Sequence, residues 1–163
     1  MNSLSRVLIY LINMFRALSI FFIFLLLNVS SVSSSNFNYG SGYAAKSQLA
    51  SQSLINAMDK VDNRIYAVGE HGIILYSDDF GDSWTQAESV PYTSTLTDIS
   101  CSSKQSCWVT GHDATILHSN DHGVTWIKQY EDPGWDAPLL SIHMFDDKVG
   151  IAIGAFALSL IHI

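Results

Sequence analysis

Basic residues are scarce. The 163-residue chain has 8 Lys and Arg against 15 Asp and Glu, a formal net charge of −7. Arg6 and Arg16 fall in an apolar leader, so the remainder carries one arginine, Arg64. Such an acidic surface repels phosphate backbones and sets nucleic-acid binding aside. With 3 prolines and no sustained heptads, collagen-like and coiled-coil chains are excluded. The 2 cysteines form no C-x-x-C, so neither a zinc site nor a C-x-x-C redox site is expected. No cofactor motif is present, and no cofactor is expected. Charged residues make up 14% and apolar ones 48%, too apolar a balance for a disordered chain. The length fits one domain at most.

From residue 7 to 29 the sequence is almost wholly apolar, broken by Asn13 and Arg16. Met14-Phe15-Arg16 precedes its densest part, and a serine-rich stretch, 30–35, follows. Charge, apolar run and small residues are the layout of a secretory signal peptide. Residues 1–34 are therefore read as a signal peptide, with cleavage around 33–35 and Met14 as an alternative start. The competing reading is an uncleaved membrane anchor, long enough to span a bilayer. Arg16 at its middle would then cost about 2.5–3.5 kcal/mol, which favours the cleaved form. Either reading places the rest of the chain outside the cytoplasm. Residues 35–52 read as a linker. Cys101 and Cys107 enclose Ser-Ser-Lys-Gln-Ser and fit an oxidising compartment as a disulfide across a hairpin, worth about 2 kcal/mol; two free thiols are the alternative.

The most informative feature is a repeat. Ser77-Asp78-Asp79-Phe80-Gly81-Asp82-Ser83-Trp84 and Ser119-Asn120-Asp121-His122-Gly123-Val124-Thr125-Trp126 both fit S-x-D-x-G-x-[ST]-W, 42 residues apart. The same offset lays Tyr66-Ala67-Val68-Gly69 on Trp108-Val109-Thr110-Gly111 and Leu54 on Leu96. A third copy starts at an offset of 43, with Ile151-Ala152-Ile153-Gly154, the extra residue being accommodated in the loop 132–136. Within each unit, short blocks rich in β-branched and aromatic residues are stopped by glycine, so each block reads as a strand. Links such as Glu70-His71-Gly72 leave room only for a tight hairpin turn. Several short strands per unit of about 40–45 residues give the period of a propeller blade. The expected fold is all-β: a β-propeller fragment over 53–163, with blades near 53–94, 95–137 and an incomplete 138–163.

The box residues have mechanical roles. Asp79 and Asp121 accept bonds from their own turn's amides, as Asx turns do. Gly81 and Gly123 supply positive φ. Ser83 and Thr125 add hydroxyl bonds across the turn. Trp84 and Trp126 seal the hairpin against a neighbouring sheet, each burying about 150–250 Å². These groups, with Ser77 and Ser119, are structural, and no catalytic residue is assigned.

The repeat resembles the Asp-box, or bacterial neuraminidase repeat, of sialidases and many other β-propellers. The wording around the boxes, residues 66–77 and 137–156, resembles the photosystem II stability/assembly factor family. That resemblance implies a seven-bladed propeller with an exported N-terminus, of which about two and a half blades are present. It implies a periplasmic or other extracytoplasmic location, or the thylakoid lumen in a photosynthetic organism. It also implies a non-enzymatic scaffold that docks a protein partner belonging to a membrane complex, with no small-molecule substrate. Photosynthetic members present an arginine-rich face, whereas only Arg64 stands here beyond the leader. The last six residues, 158–163, break the repeat and read as a translated sequencing-adapter end, which leads us to expect further blades in the natural protein.

The alternative is a sialidase-like glycoside hydrolase. Its recognition chemistry requires an arginine triad, because bidentate pairing clamps the substrate carboxylate, together with a tyrosine and its acidic partner. One arginine cannot make a triad, and Tyr66 and Tyr76 read as strand packing. His112, His118 and His122 are close in sequence but lack ligand spacing, so no metal is assigned; His122 reads as solvent-facing. The carboxylates at Asp78-Asp79, Asp82, Glu131-Asp132, Asp136 and Asp146-Asp147 match no calcium loop. Glu70, His71, His112 and Asp113 occupy equivalent turns, which line up on one face of a propeller. They are the candidate partner-binding surface. N-terminal mass analysis of the chain recovered after export is expected to find a start close to residue 35; a start at Met1 or Met14 would mean an anchor instead.

Overall fold

The computed structural model describes residues 42–132, 134–155 and 159–161. The leader, 1–34, lies outside the described residues, as do 156–158 and 162–163 of the chain's last segment. Strands β1 (Ile55–Val61), β2 (Arg64–Gly69), β3 (Ile74–Ser77) and β4 (Thr85–Gln86) form one four-stranded sheet in sequence order. Strands β5 (Leu96–Cys101), β6 (Cys107–Gly111), β7 (Ile116–Ser119) and β8 (Ile127–Tyr130) form a second. Strands β9 (Leu139–Met144), β10 (Gly150–Gly154) and β11 (Ser159–Ile161) form a third, three-stranded one. Every pairing between these strands is antiparallel, so each sheet is an up-and-down meander, the form of a propeller blade. Among the described residues no helix is long and apolar enough to cross a membrane.

Strand periodicity explains the packing. On β2, Tyr66 and Val68 point one way and Ala67 the other. Tyr66, Val68 and Ile74 pack against Ile99, Val109, Leu117 and Trp126 of the second sheet. On β6 the alternate residue, Trp108, packs with Ile116 against Leu139, Ile142, Met144 and Ala152 of the third. The middle sheet is thus buried on both sides, and all five residues of β6 are buried. The outer side of the first sheet carries Ala67, Ile73 and Leu75, covered by Ala50, with Ile55 and Trp84 packed alongside. Ala50 belongs to the stretch expected to be a linker. There Ala44 N–H donates to Val90 O, Ser47 N–H to Gln86 Oε1, and Gln86 Nε2 to Ala45 O.

The two boxes therefore have unlike surroundings. Trp126 is buried between sheets, whereas Trp84 is half-buried. Met58, paired to Ala67 as Ile99 is to Val109, is 64% exposed where Ile99 is 4%. Only the second box has a sheet beside it among the described residues.

Register corrects one sequence alignment. Ile55, not Leu54, is the counterpart of Leu96: each pairs with the glycine closing the next strand, Gly69 or Gly111. The β5–β6 hairpin is a residue longer than β1–β2, where Val61 pairs with Arg64 around Asp62-Asn63. Leu54 itself is exposed.

The strand-ending glycines answer to a close approach. Their neighbour's N–H bonds the carbonyl that leads into the same sheet's first strand: Glu70 to Leu54, His112 to Thr95, Ala155 to Pro138. A Cβ on Gly69 would lie 2.0 Å from Leu54 O, and one on Gly154 2.6 Å from Pro138 O. Overpacking of this kind costs about 1–3 kcal/mol. Gly69→Ala is expected to lower the urea midpoint by that much stability, with an unchanged m-value; an unaltered midpoint would show that the strand end can move aside.

Candidate functional site

The two boxes are nearly superimposable in their bonding. Ser77 Oγ donates to Asp79 Oδ1 at 2.7 Å and accepts from Gly81 N–H at 2.8 Å. Ser119 Oγ donates to Asp121 Oδ1 at 2.8 Å and accepts from Gly123 N–H at 2.9 Å. Asp79 then accepts from Ser83 N–H at 2.9 Å and Ser83 Oγ at 2.6 Å. Asp121 accepts from Thr125 N–H and Thr125 Oγ1 at the same two distances. Gly81 and Gly123 have φ of 97° and 75°, and Phe80 and His122 before them also have positive φ. A Cβ on Gly123 would lie 2.6 Å from the Tyr66 ring, so this glycine is needed for a close approach as well as for its φ.

Hydroxyl and amide donors favour the charged carboxylate. The Ser83 hydroxyl and amide, with the Ser77 hydroxyl, lower Asp79 to about 2. Burial raises Asp121, but Thr125 and Ser119 outweigh it and the net direction is down.

Arg64 ties the first box to the second. Nε and Nη2 grip Asp78 at 2.7 and 2.5 Å, and Nη1 donates to His122 O at 2.8 Å. The guanidinium also lies 4.4 Å from the Tyr76 ring centroid. Its charge is engaged within the fold, so it is not free to clamp a substrate carboxylate. His122 is half-buried, not open to solvent as its variable box position suggests, and its Nδ1 is buried without a hydrogen-bond partner.

Further fasteners join the first strand of each sheet to the next. Asp59 Oδ2 accepts Cys101 N–H at 2.7 Å. Asp98 Oδ2 accepts Ile142 N–H at 2.9 Å and Ser141 Oγ at 2.6 Å. Thr97 Oγ1 donates to Leu139 O at 2.6 Å, and Ser100 Oγ accepts Met144 N–H at 3.0 Å. None of these residues stands out in the sequence, because each partner lies about forty residues away. A disulfide joins Cys101 to Cys107, a directly paired position of β5 and β6.

The turns carrying Glu70, His71, His112 and Asp113 lie at the opposite edge. In the first, Ile73 N–H bonds Glu70 O, and His71 and Gly72 have φ of 57° and 70°. In the second, Thr115 N–H bonds His112 O, and Asp113 and Ala114 have φ of 53° and 47°. Consecutive left-handed residues make both type I′ turns. The incoming connectors fix them: Gly72 N–H donates to Ser94 O and Ala114 N–H to Ala137 O. His71 and His112 are exposed, and Glu70 and Asp113 half-buried. By register Glu70 matches His112 and His71 matches Asp113. The turns share an edge, but no hydrogen bond or ion pair links these four side chains. His118 stacks on Trp108 at 4.0 Å, and burial lowers its pKa. Among the described residues no three His, Cys, Asp or Glu side chains converge on a point that could hold a metal ion.

Two solved structures share the fold. One, described as YCF48 bound to D1 peptide, superposes with a TM-score of 0.59 at 18% identity, over 73% of this chain and 38% of its own. The other, YCF48 from Cyanidioschyzon merolae, gives 0.56 at 20% identity, over 68% of this chain and 37% of its own. The chain thus spans less than two-fifths of the length of either, and at these identities the likeness is one of fold. No protein-family model matches the chain, and no curated protein does.

A carboxyl held below its unfolded value stabilises the fold fully above that value and loses the effect as pH falls toward the folded one. For Asp79 the loss therefore runs from its ordinary value of 3.8 down to about 2. Acid titration followed by amide exchange at Gly81 and Ser83 is expected to show protection falling in that window. Asp79→Asn should remove the pH dependence; an unchanged profile in that variant would place its cause elsewhere.

Proposed function

We propose that this chain supplies blades of an exported, non-enzymatic propeller of the photosystem II assembly-factor type, which docks an extramembrane segment of a membrane protein. The observation that carries the reading is the superposition on a propeller described as holding a D1 peptide. The site chemistry supports it. The box carboxylates and Arg64 are engaged in holding turns, and among the described residues a glycosidase reading has no free arginine to build on. The leader, and a disulfide suited to an oxidising compartment, support export.

The docking surface is the turn edge. Its backbone is fixed by the connectors, while the side chains of Glu70 and His71 make no hydrogen bond or ion pair within the described residues. A rigid edge with uncommitted polar side chains suits a protein segment, because little order is lost on binding. Titration of the chain with synthetic D1 peptide, read by fluorescence anisotropy, is expected to show saturable binding. Glu70→Ala combined with His112→Ala should weaken it roughly tenfold, about 1.4 kcal/mol, while Ser83→Ala leaves it unchanged. No binding, or equal affinity in the turn variant, would reject this surface.

A further inference from the structure

The hairpin between β5 and β6 differs from its counterparts in two ways. It is the one carrying a disulfide, and its loop touches the sheets on both sides. Toward the first sheet, Cys101 N–H donates to Asp59 Oδ2 at 2.7 Å, and Tyr66 Oη donates to Lys104 O at 3.3 Å. Toward the third, Ser102 Oγ and Ser103 Oγ both donate to Asp147 Oδ1, at 2.5 and 3.0 Å. Asp147 lies in the β9–β10 loop, which is closed by Phe145 N–H to Val149 O and by Asp146 capping Lys148 and Val149. The contacts inside the 102–106 loop are long by comparison: Ser102 and Ser103 N–H reach Ser106 O at 3.1 and 3.5 Å, and Ser106 N–H reaches Ser103 O at 3.2 Å. The covalent bridge between Cys101 and Cys107 is thus the firm closure of a loop that fastens three sheets.

We propose that this disulfide is a reducible clasp: a dithiol opens it in the folded protein and releases the loop's hold on the third sheet. The two sulfurs are unequal. Cys107 is fully buried whereas Cys101, packed at the margin of the core, is only partly so, and attack falls on Cys101 Sγ. The reductant's thiolate forms a mixed disulfide with Cys101, and Cys107 leaves as a thiolate and takes a proton. The second thiol of the reductant then displaces Cys101 as a thiol. Two electrons pass to the protein, and the reductant ends as its own disulfide. The effect is local, because so short a loop restricts the unfolded chain little and the β5–β6 pairing from Leu96 to Ser100 does not depend on the bridge. The third sheet keeps its Asp98 and Thr97 bonds but loses the two made at the tip of its hairpin.

Hydrogen exchange with mass detection on the full chain, with and without dithiothreitol in native buffer, tests this. Both cysteines are expected to become alkylated without denaturant. Exchange should rise together, roughly tenfold, in residues 101–106 and 145–149, while the box amides of Ser83 and Thr125 keep their protection. Oxidised Asp147→Ala should already exchange at 145–149 as the reduced wild type does, with no further rise there on reduction. Cys101→Ala combined with Cys107→Val should match the reduced protein with no reductant present. Alkylation only after unfolding, a rise confined to 101–107, or a rise across all strands would each overturn the clasp.

Discussion

A sheet that is apolar on both sides must be covered on both sides, and the remaining features follow from that constraint. The alternation of Tyr66 and Val68 with Ala67, and of Val109 with Trp108, leaves no face for water. A single four-stranded sheet of this sequence would expose two large apolar surfaces, at about 25 cal/mol per Å². Stacking neighbours relieves this, and the middle sheet is accordingly wedged between the other two. The contrast between Trp84 and Trp126 measures this. The same box holds both indoles, yet only the one with a sheet beside it is buried, and its Nε1 donates to Gly123 O at 3.0 Å. Gly123 pressed on the Tyr66 ring is the same contact seen from the other side.

Stacking brings a polar difficulty of its own. The first strand of each sheet has one edge without a strand partner, and buried amides there cost free energy unless something accepts them. Side chains of the preceding sheet do so, Asp59 for Cys101 and Asp98 for Ile142. Bonds to a charged acceptor contribute about 1.5–3 kcal/mol each. They also fix the relative register of successive sheets, which apolar contact alone leaves loose. Arg64 does the same at the rim, because its fork holds Asp78 of its own sheet while a third donor reaches the carbonyl of the next box.

What could be read from the sequence follows from contact range. The box is complete within eight residues, so its serine, carboxylate, glycine and tryptophan appear as a string with a fixed spacing. The strands appear as short β-branched blocks because their neighbours are a turn away. Asp59, Asp98, Ser102 and Asp147 could not be identified, since an Asp that caps an amide forty residues on looks like any exposed Asp. The alignment of Leu54 with Leu96 failed for a related reason. An insertion in one hairpin shifts the strand before it against the strand after it, and a constant offset cannot represent both. The candidate turns were legible as equivalent turns. That Glu70 and His71 remain uncommitted is visible only once every nearby donor and acceptor is placed.

The distribution of committed and uncommitted groups bears on what such a structure can do. A general acid near neutral pH needs a carboxyl raised by burial, and a clamp needs an arginine with open valences. Here the structure works in the other direction. Asp79 is lowered to about 2 by three donors of its own turn, and Arg64 is engaged by Asp78 and His122. Groups held this firmly hold shape well and transfer protons poorly. The opposite edge carries the complement, with backbone fixed by connector bonds at Gly72 and Ala114 and histidines left exposed. On the reading proposed above, stiffness lies where the sheets meet, and unspent hydrogen-bonding capacity lies at the edge proposed for docking.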